Sequence, residues 1–85
     1  MQEVYGVAAF RSRQQVLRFE SLLRRQGIPA GVVTTPREIS MGCGLSVRFP
    51  IGYLREVRAL AAASAGNLIG VYRVEFDGGR ARVRY

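Results

Sequence analysis

Short β runs and amphipathic helical stretches follow one another in the order βαββαβ, and a further β run follows a Gly-Gly turn at the end. Each helical stretch carries a single apolar face. These observations predict a mixed α/β (α+β) domain: two right-handed βαβ units give an antiparallel sheet with both helices on one face, extended by a C-terminal hairpin strand. This is the ferredoxin-like arrangement. At 85 residues and 48% apolar content, residues 1–85 make one domain with enough apolar side chains for a core.

The first β run, Val4 to Phe10, contains the small residues Gly6, Ala8 and Ala9, which suit a central strand that helices approach closely. Ser12 and Gln15 have capping-box spacing, so a helix is expected from Arg13 to about Gln26. Gly27 supplies its left-handed end and Pro29 prevents continuation. Val16, Phe19 and Leu23 share its apolar face with Leu22 beside it, while Arg11, Arg18 and Arg25 share a different, solvated face. Ala30 to Thr35 reads as the second strand and Leu45 to Phe49 as the third, the latter alternating apolar and polar residues. Pro50 and Gly52 break the pattern, and a second helix is expected from about Tyr53 to Ala65, with Leu54, Val57, Ala61 and Ser64 on one face. Gly66 and Asn67 close it. Leu68 to Phe76 is the fourth strand, Asp77-Gly78-Gly79 a hairpin turn, and Arg80 to Tyr85 an edge strand whose arginines discourage unwanted pairing.

Charge and composition exclude several classes. Thirteen basic residues against six acidic ones give +7, and every basic residue is Arg. Such a surface attracts anions and acidic partners, although replacement of Lys by Arg throughout a GC-biased genome accounts for the choice of residue. The single Cys and the lack of His argue against a structural disulfide and a protein-only zinc site, and no resident cofactor is expected. No apolar run approaches a membrane span, and the first residues lack the basic flank of a secretory signal. A reduced cytoplasmic home is expected.

The chemistry concentrates between Thr34 and Phe49. Pro36 fixes its own φ and pushes Thr35 into an extended conformation, which marks the exit from a strand. Arg37 and Glu38 bring one permanent positive charge and one carboxylate into the loop. Cys43 stands between Gly42 and Gly44, so the backbone can bend close to the sulfur and turn peptide N–H groups toward it. By residue type alone a free cysteine is an inert packing residue. The two glycines and the loop context weaken that reading without displacing it, so on the residues alone a packing role and an accessible thiol both stay open.

The run Thr35-Pro36-Arg37-Glu38-Ile39-Ser40 followed by Cys43-Gly44 resembles the motif of a family of small bacterial proteins, the selenium/sulfur carrier-like family. The likeness extends to the opening strand with Phe10-Arg11-Ser12, to Gly27-Ile28-Pro29 and to Gly70-Val71-Tyr72-Arg73, and spans roughly residues 4 to 74. The resemblance implies a ferredoxin-like domain whose motif cysteine carries sulfur or selenium, as a covalent persulfide or perselenide on Cys43. Arg37 is the candidate stabiliser of the anionic sulfur, Ser40 a candidate hydroxyl donor, and Gly42 and Gly44 the loop residues that support Cys43. The implied partners are a sulfur or selenium donor protein and an acceptor protein.

Two other readings compete. A basic ferredoxin-like domain is also the architecture of the RNA recognition motif, which needs aromatic residues on the open face of its central strands. Leu45, Val47 and Phe49 are the core candidates of the third strand, which leaves Ser46 and Arg48 on the open face, and neither stacks as an aromatic does. Specific nucleic-acid binding is therefore not expected. The alternative is a non-catalytic interaction or ligand-sensing module: with Tyr72, Val74 and Phe76 facing the helices, Ile69 and Val71 would lie on the open face and favour a homodimer. An independent enzyme is the least supported reading, because Cys43 has neither a His base nor a resolving cysteine to work with.

Overall fold

In a computed structural model of the chain, which describes residues 2–39, 42–63 and 67–84, five strands form one antiparallel sheet and two helices pack on it. The elements are β1 (Gln2–Phe10), α1 (Arg13–Arg25), β2 (Gly31–Thr34), β3 (Leu45–Pro50), α2 (Leu54–Ala62), β4 (Leu68–Asp77) and β5 (Arg80–Arg84). A 3-10 turn over Ile51–Tyr53 leads into α2. The strand order is β2-β3-β1-β4-β5, so the layout is wider than a strict four-stranded βαββαβ sheet, with β5 on the flank of β4.

Each element follows from local chemistry. The α1 apolar stripe buries Val16, Phe19 and Leu23. Ser12 occupies the N-cap with extended backbone, but its side chain makes no capping hydrogen bond, so the expected capping box is not formed. The other end behaves as expected: Gly27 has φ 79°, the Ile28 N–H donates to the Leu23 carbonyl and the Gly27 N–H to that of Arg24, a Schellman ending. The Arg24 guanidinium then donates twice to the Ala30 carbonyl, at 3.2 and 3.1 Å, and ties the turn to the helix. The described helical span of α2 stops at Ala62, short of the expected Ala65; Ser64, Ala65 and Gly66 lie outside the described residues, as does Tyr85. Gly78 and Gly79 both have positive φ, the conformation a tight hairpin demands.

Two apolar layers flank the sheet. On the helix side, Ala8 and Phe10 of β1, Val47 and Phe49 of β3 and Val71 of β4 pack with α1 and with Val57 and Ala61 of α2. Phe49 lies so close to the backbone of β1 that a Cβ at Gly6 would fall 2.1 Å from its ring. On the other side, Val7, Ala9, Tyr72 and Val74 form a second cluster, supported by Tyr5, Ile69, Ala81 and Val83. The expected sidedness of β4 is thus reversed. Val71 is buried under the helices, whereas Tyr72 and Val74 face away from them. The cause is a register shift beside Ala9 and Phe10: Ala9 pairs with Gly70 but Phe10 pairs with Leu68, which leaves Ile69 as an extra residue. The exposed Ile69 and Val71 pair that favoured a homodimer does not exist.

The face away from the helices is not an open platform. Ile39, from the loop between β2 and β3, is buried in the second cluster. Ser46 is fully buried on that face, and Arg48 lies 3.9 Å from the ring centre of Tyr5 with Glu3 at 3.5 Å. Tyr5 is thus an aromatic that the sequence reading did not place there, and Arg48 already occupies its ring.

Replacing Gly6 by Ala should destabilise the domain by about 1–3 kcal/mol through overpacking against Phe49. Replacing Gly27 by Ala, where no atom lies within 4 Å of the added Cβ, should cost about 1–2 kcal/mol through its positive φ alone. Urea unfolding of both variants, with near-ultraviolet circular dichroism to read the aromatic packing, separates the two mechanisms: only Gly6→Ala should alter the spectrum of the folded protein.

Candidate functional site

The loop between β2 and β3 is pinned at three points. At its base the Thr35 N–H donates to the Gly44 carbonyl at 2.9 Å, and the hydroxyls of Thr35 and Ser46 lie 2.7 Å apart. The second bond explains why a polar residue can be fully buried at position 46: its hydroxyl is satisfied by Thr35. In the middle, the Ile39 N–H donates to the Pro36 carbonyl and closes a tight turn that carries the Ile39 side chain onto the sheet. At the return, the Cys43 N–H approaches the Phe10 carbonyl at 3.4 Å, beside the β4 bulge.

The glycines on either side of Cys43 have separate reasons. Gly42 has φ 106°, and a Cβ there would lie 2.7 Å from Ile69 Cδ1 and 2.8 Å from the Phe10 carbonyl oxygen. The bulged Ile69 therefore packs where only a glycine leaves room. Gly44 has φ 87° with open space around it, so only its backbone conformation calls for glycine.

Between them Cys43 is exposed, with Sγ 3.7 Å from the Leu45 carbonyl oxygen, to which the thiol donates. A packing role for the cysteine does not fit this placement, since its side chain fills no part of either apolar cluster. Among the described residues no peptide N–H donates to the sulfur, unlike the cage expected from the sequence. The Cys43 N–H is spent on Phe10, and the group hydrogen-bonded to sulfur is a carbonyl.

Arg37 is exposed and makes no hydrogen bond or ion pair with Cys43 or any other described residue. Its side chain lines a groove with Tyr5, Phe76 and Arg80, and Cys43 does not belong to that groove. The physical reason is the turn from Pro36 to Ile39, which sends Arg37 and Glu38 toward the β4–β5 hairpin before the chain comes back to Phe10. Glu38 is exposed too, lines the same groove, and has no ion pair among the described residues. Ser40 lies outside the described residues. Of the expected site, then, Gly42, Cys43 and Gly44 are brought together and Arg37 is not. Sequence reasoning missed Phe10, Ile69, Ser46 and Ile39. Only the apolar Ile39 within a polar run carried a signal that could have been used.

Among the described residues, no three His, Cys, Asp or Glu side chains come together, and no helix is long and apolar enough to cross a membrane.

No curated protein and no solved structure matches the chain. A family model does, the one described as "Putative Se/S carrier protein-like", and it covers residues 5–73, from within β1 to within β4. That span takes in the whole loop and the exposed thiol but stops short of β5. With most of its length inside that match, the chain belongs to the Se/S carrier protein-like family.

Proposed function

We propose that Cys43 is a carrier thiol, which accepts a sulfur or selenium atom from a donor protein and hands it to an acceptor. The observation that carries this reading is the exposed sulfur on a loop pinned at Thr35, Ile39 and Cys43 itself, within the region that matches the carrier-like family. We also read β2-β3-β1-β4 as a ferredoxin-like sheet, to which β5 is an addition.

The chemistry balances without an external oxidant. The Cys43 thiolate attacks the outer sulfur of a persulfide on the donor; a new S–S bond forms at Cys43, the donor S–S bond breaks, and the donor leaves as a thiolate that takes up the proton Cys43 gave up. Transfer onward repeats the step with an acceptor nucleophile, and Cys43 leaves as the thiolate. A perselenide follows the same course with selenium as the outer atom. Both loaded forms are anionic, and exposure lets a partner's nucleophile approach the outer atom. With no base of its own beside sulfur among the described residues, the protein works as a carrier or accessory to partner enzymes.

Arg37 contributes in this reading through its field across the loop. An exposed charge out of contact with the sulfur is screened by solvent, so its effect is small.

Incubation with a persulfide-loaded donor protein should add one sulfur atom to the mass of the wild-type chain under non-reducing conditions. Cys43→Ser should fold normally and take up none; loading of that variant would overturn the assignment. Alkylation of Cys43 by iodoacetamide should be rapid in the folded protein, and Arg37→Ala should slow it by no more than about twofold, the effect of a screened surface charge. Gly42→Ala should cost about 1–3 kcal/mol in stability, from positive φ and overpacking together, and lower the loading rate because Cys43 is displaced from Phe10. Measuring the loading rate well below the denaturation midpoint separates this displacement from unfolding.

Nucleic-acid binding should be weak and sequence-blind, since Ile39 covers the sheet and Arg48 stacks on Tyr5. Oligonucleotide titrations are expected to show affinity that falls steeply with salt. Sub-micromolar binding with base preference at near-physiological salt would contradict this.

A further inference from the structure

The geometry points to a second binding site, separate from Cys43, in the groove between the β2–β3 loop and the β4–β5 hairpin; we propose that it takes an organic anion with an aromatic or other flat apolar portion. The groove has a volume of about 690 Å³, within the usual range for small-molecule sites. Pro36 and Arg37 contribute from the loop, Arg80 and Ala81 from the hairpin, with Tyr5 and Phe76 between them.

The two arginines are the first reason. Arg24, Arg48 and Arg73 are each engaged by a carboxylate; among the arginines with no such ion pair in the described residues, Arg37 and Arg80 come from separate elements and line this one groove. Arg80 stands directly opposite Asp77 in the hairpin and still forms no ion pair with it. Two guanidiniums against the one carboxylate of Glu38 leave the groove positive, which favours an anion over a neutral molecule.

The second reason is Phe76. Among the described residues only Leu17 and Phe76 are large apolar side chains left exposed, and Phe76 lies in this groove. A flat apolar group set against Phe76 would remove that ring from water while its charged end meets the arginines. Arg80 and Ala81 belong to β5, which lies beyond the family match at residue 73. The site is therefore built jointly by the shared motif loop and by a strand the family model does not cover.

Phenyl phosphate, inorganic phosphate and benzyl alcohol serve as probes, titrated into the isotopically labelled protein at near-physiological salt and followed by amide chemical shifts. Phenyl phosphate should saturate, with shifts gathered at Tyr5, Arg37, Phe76 and Ala81, and bind at least tenfold more tightly than either other probe. Arg37→Ala and Arg80→Ala should each weaken it about tenfold, as loss of one charge-assisted contact does. Arg25→Ala removes the same charge from the exposed end of α1 and should leave binding within about twofold, the effect of a distant screened charge. Phe76→Ala should weaken phenyl phosphate but not inorganic phosphate, and Cys43→Ser should bind normally, so that the groove is judged independently of the carrier thiol. Shifts spread over the arginine-rich surface, equal loss in Arg25→Ala, or no preference for phenyl phosphate over inorganic phosphate would overturn the site.

Discussion

A sheet with helices on one side must hide its other side by some means, and here the buried Ile39 side chain shares that task with Tyr5, Ile69, Ala81 and Val83. Burial of one such side chain is worth about 1.5–3 kcal/mol, a large share of the stability margin of a small domain. Ile39 belongs to the same loop that presents Cys43, so the packing of the second core and the placement of the thiol are one constraint. Lifting the loop would pull Ile39 out of the cluster it forms with Val7, Ala9, Tyr72 and Val74. The remaining contacts act on this anchored segment. Thr35 bonds to Gly44 and Ser46 at the base, Cys43 docks on Phe10, and Gly42 admits the bulged Ile69.

The bulge matters because it links the strand register to the site. By inserting Ile69, β4 changes side relative to a regular ladder, which moves Val71 under the helices and Tyr72 onto the loop side. Gly70 takes part in this exchange, since a Cβ there would meet the Tyr72 ring at 2.8 Å. Tyr72 can lie along the strand only because position 70 is bare. The glycines at 6, 42 and 70 thus serve close approach, whereas those at 27, 44, 78 and 79 serve backbone conformation in open space.

The order of strands and helices was legible because it rests on local signals: apolar period, glycine at a helix end, a Gly-Gly hairpin. So was the sidedness of β3, where Leu45, Val47 and Phe49 alternate without interruption. The sidedness of β4 was not, because a one-residue bulge leaves no mark in a run such as Leu68-Ile69-Gly70-Val71, which is apolar in either register. The site divided in the same way. That glycines would let the chain bend tightly around Cys43 could be read from their identity. Which groups would then face the sulfur depended on the Phe10 carbonyl, more than thirty positions away in sequence, and no local pattern encodes that meeting. The capping box failed for a related reason. Its spacing is necessary for the bond, but the chain entering α1 is directed by the Arg11 N–H bond to the Asn67 carbonyl.

The distribution of arginines follows from this division between anchored and free surface. Arg24 holds a turn and Arg48 covers Tyr5. Arg82 and Arg84 alternate along β5, whose outer edge carries no partner strand, and a second copy of that edge would bring like charges together. Arg37 and Arg80 fit none of these structural roles. They come from different elements, reach the same groove and face a ring that the fold leaves uncovered. A protein that presents its thiol at one place and an unspent pair of guanidiniums at another can hold a ligand without obstructing the sulfur. The Pro36 to Ile39 turn keeps these two regions apart, and it does so with the same residue that closes the second core.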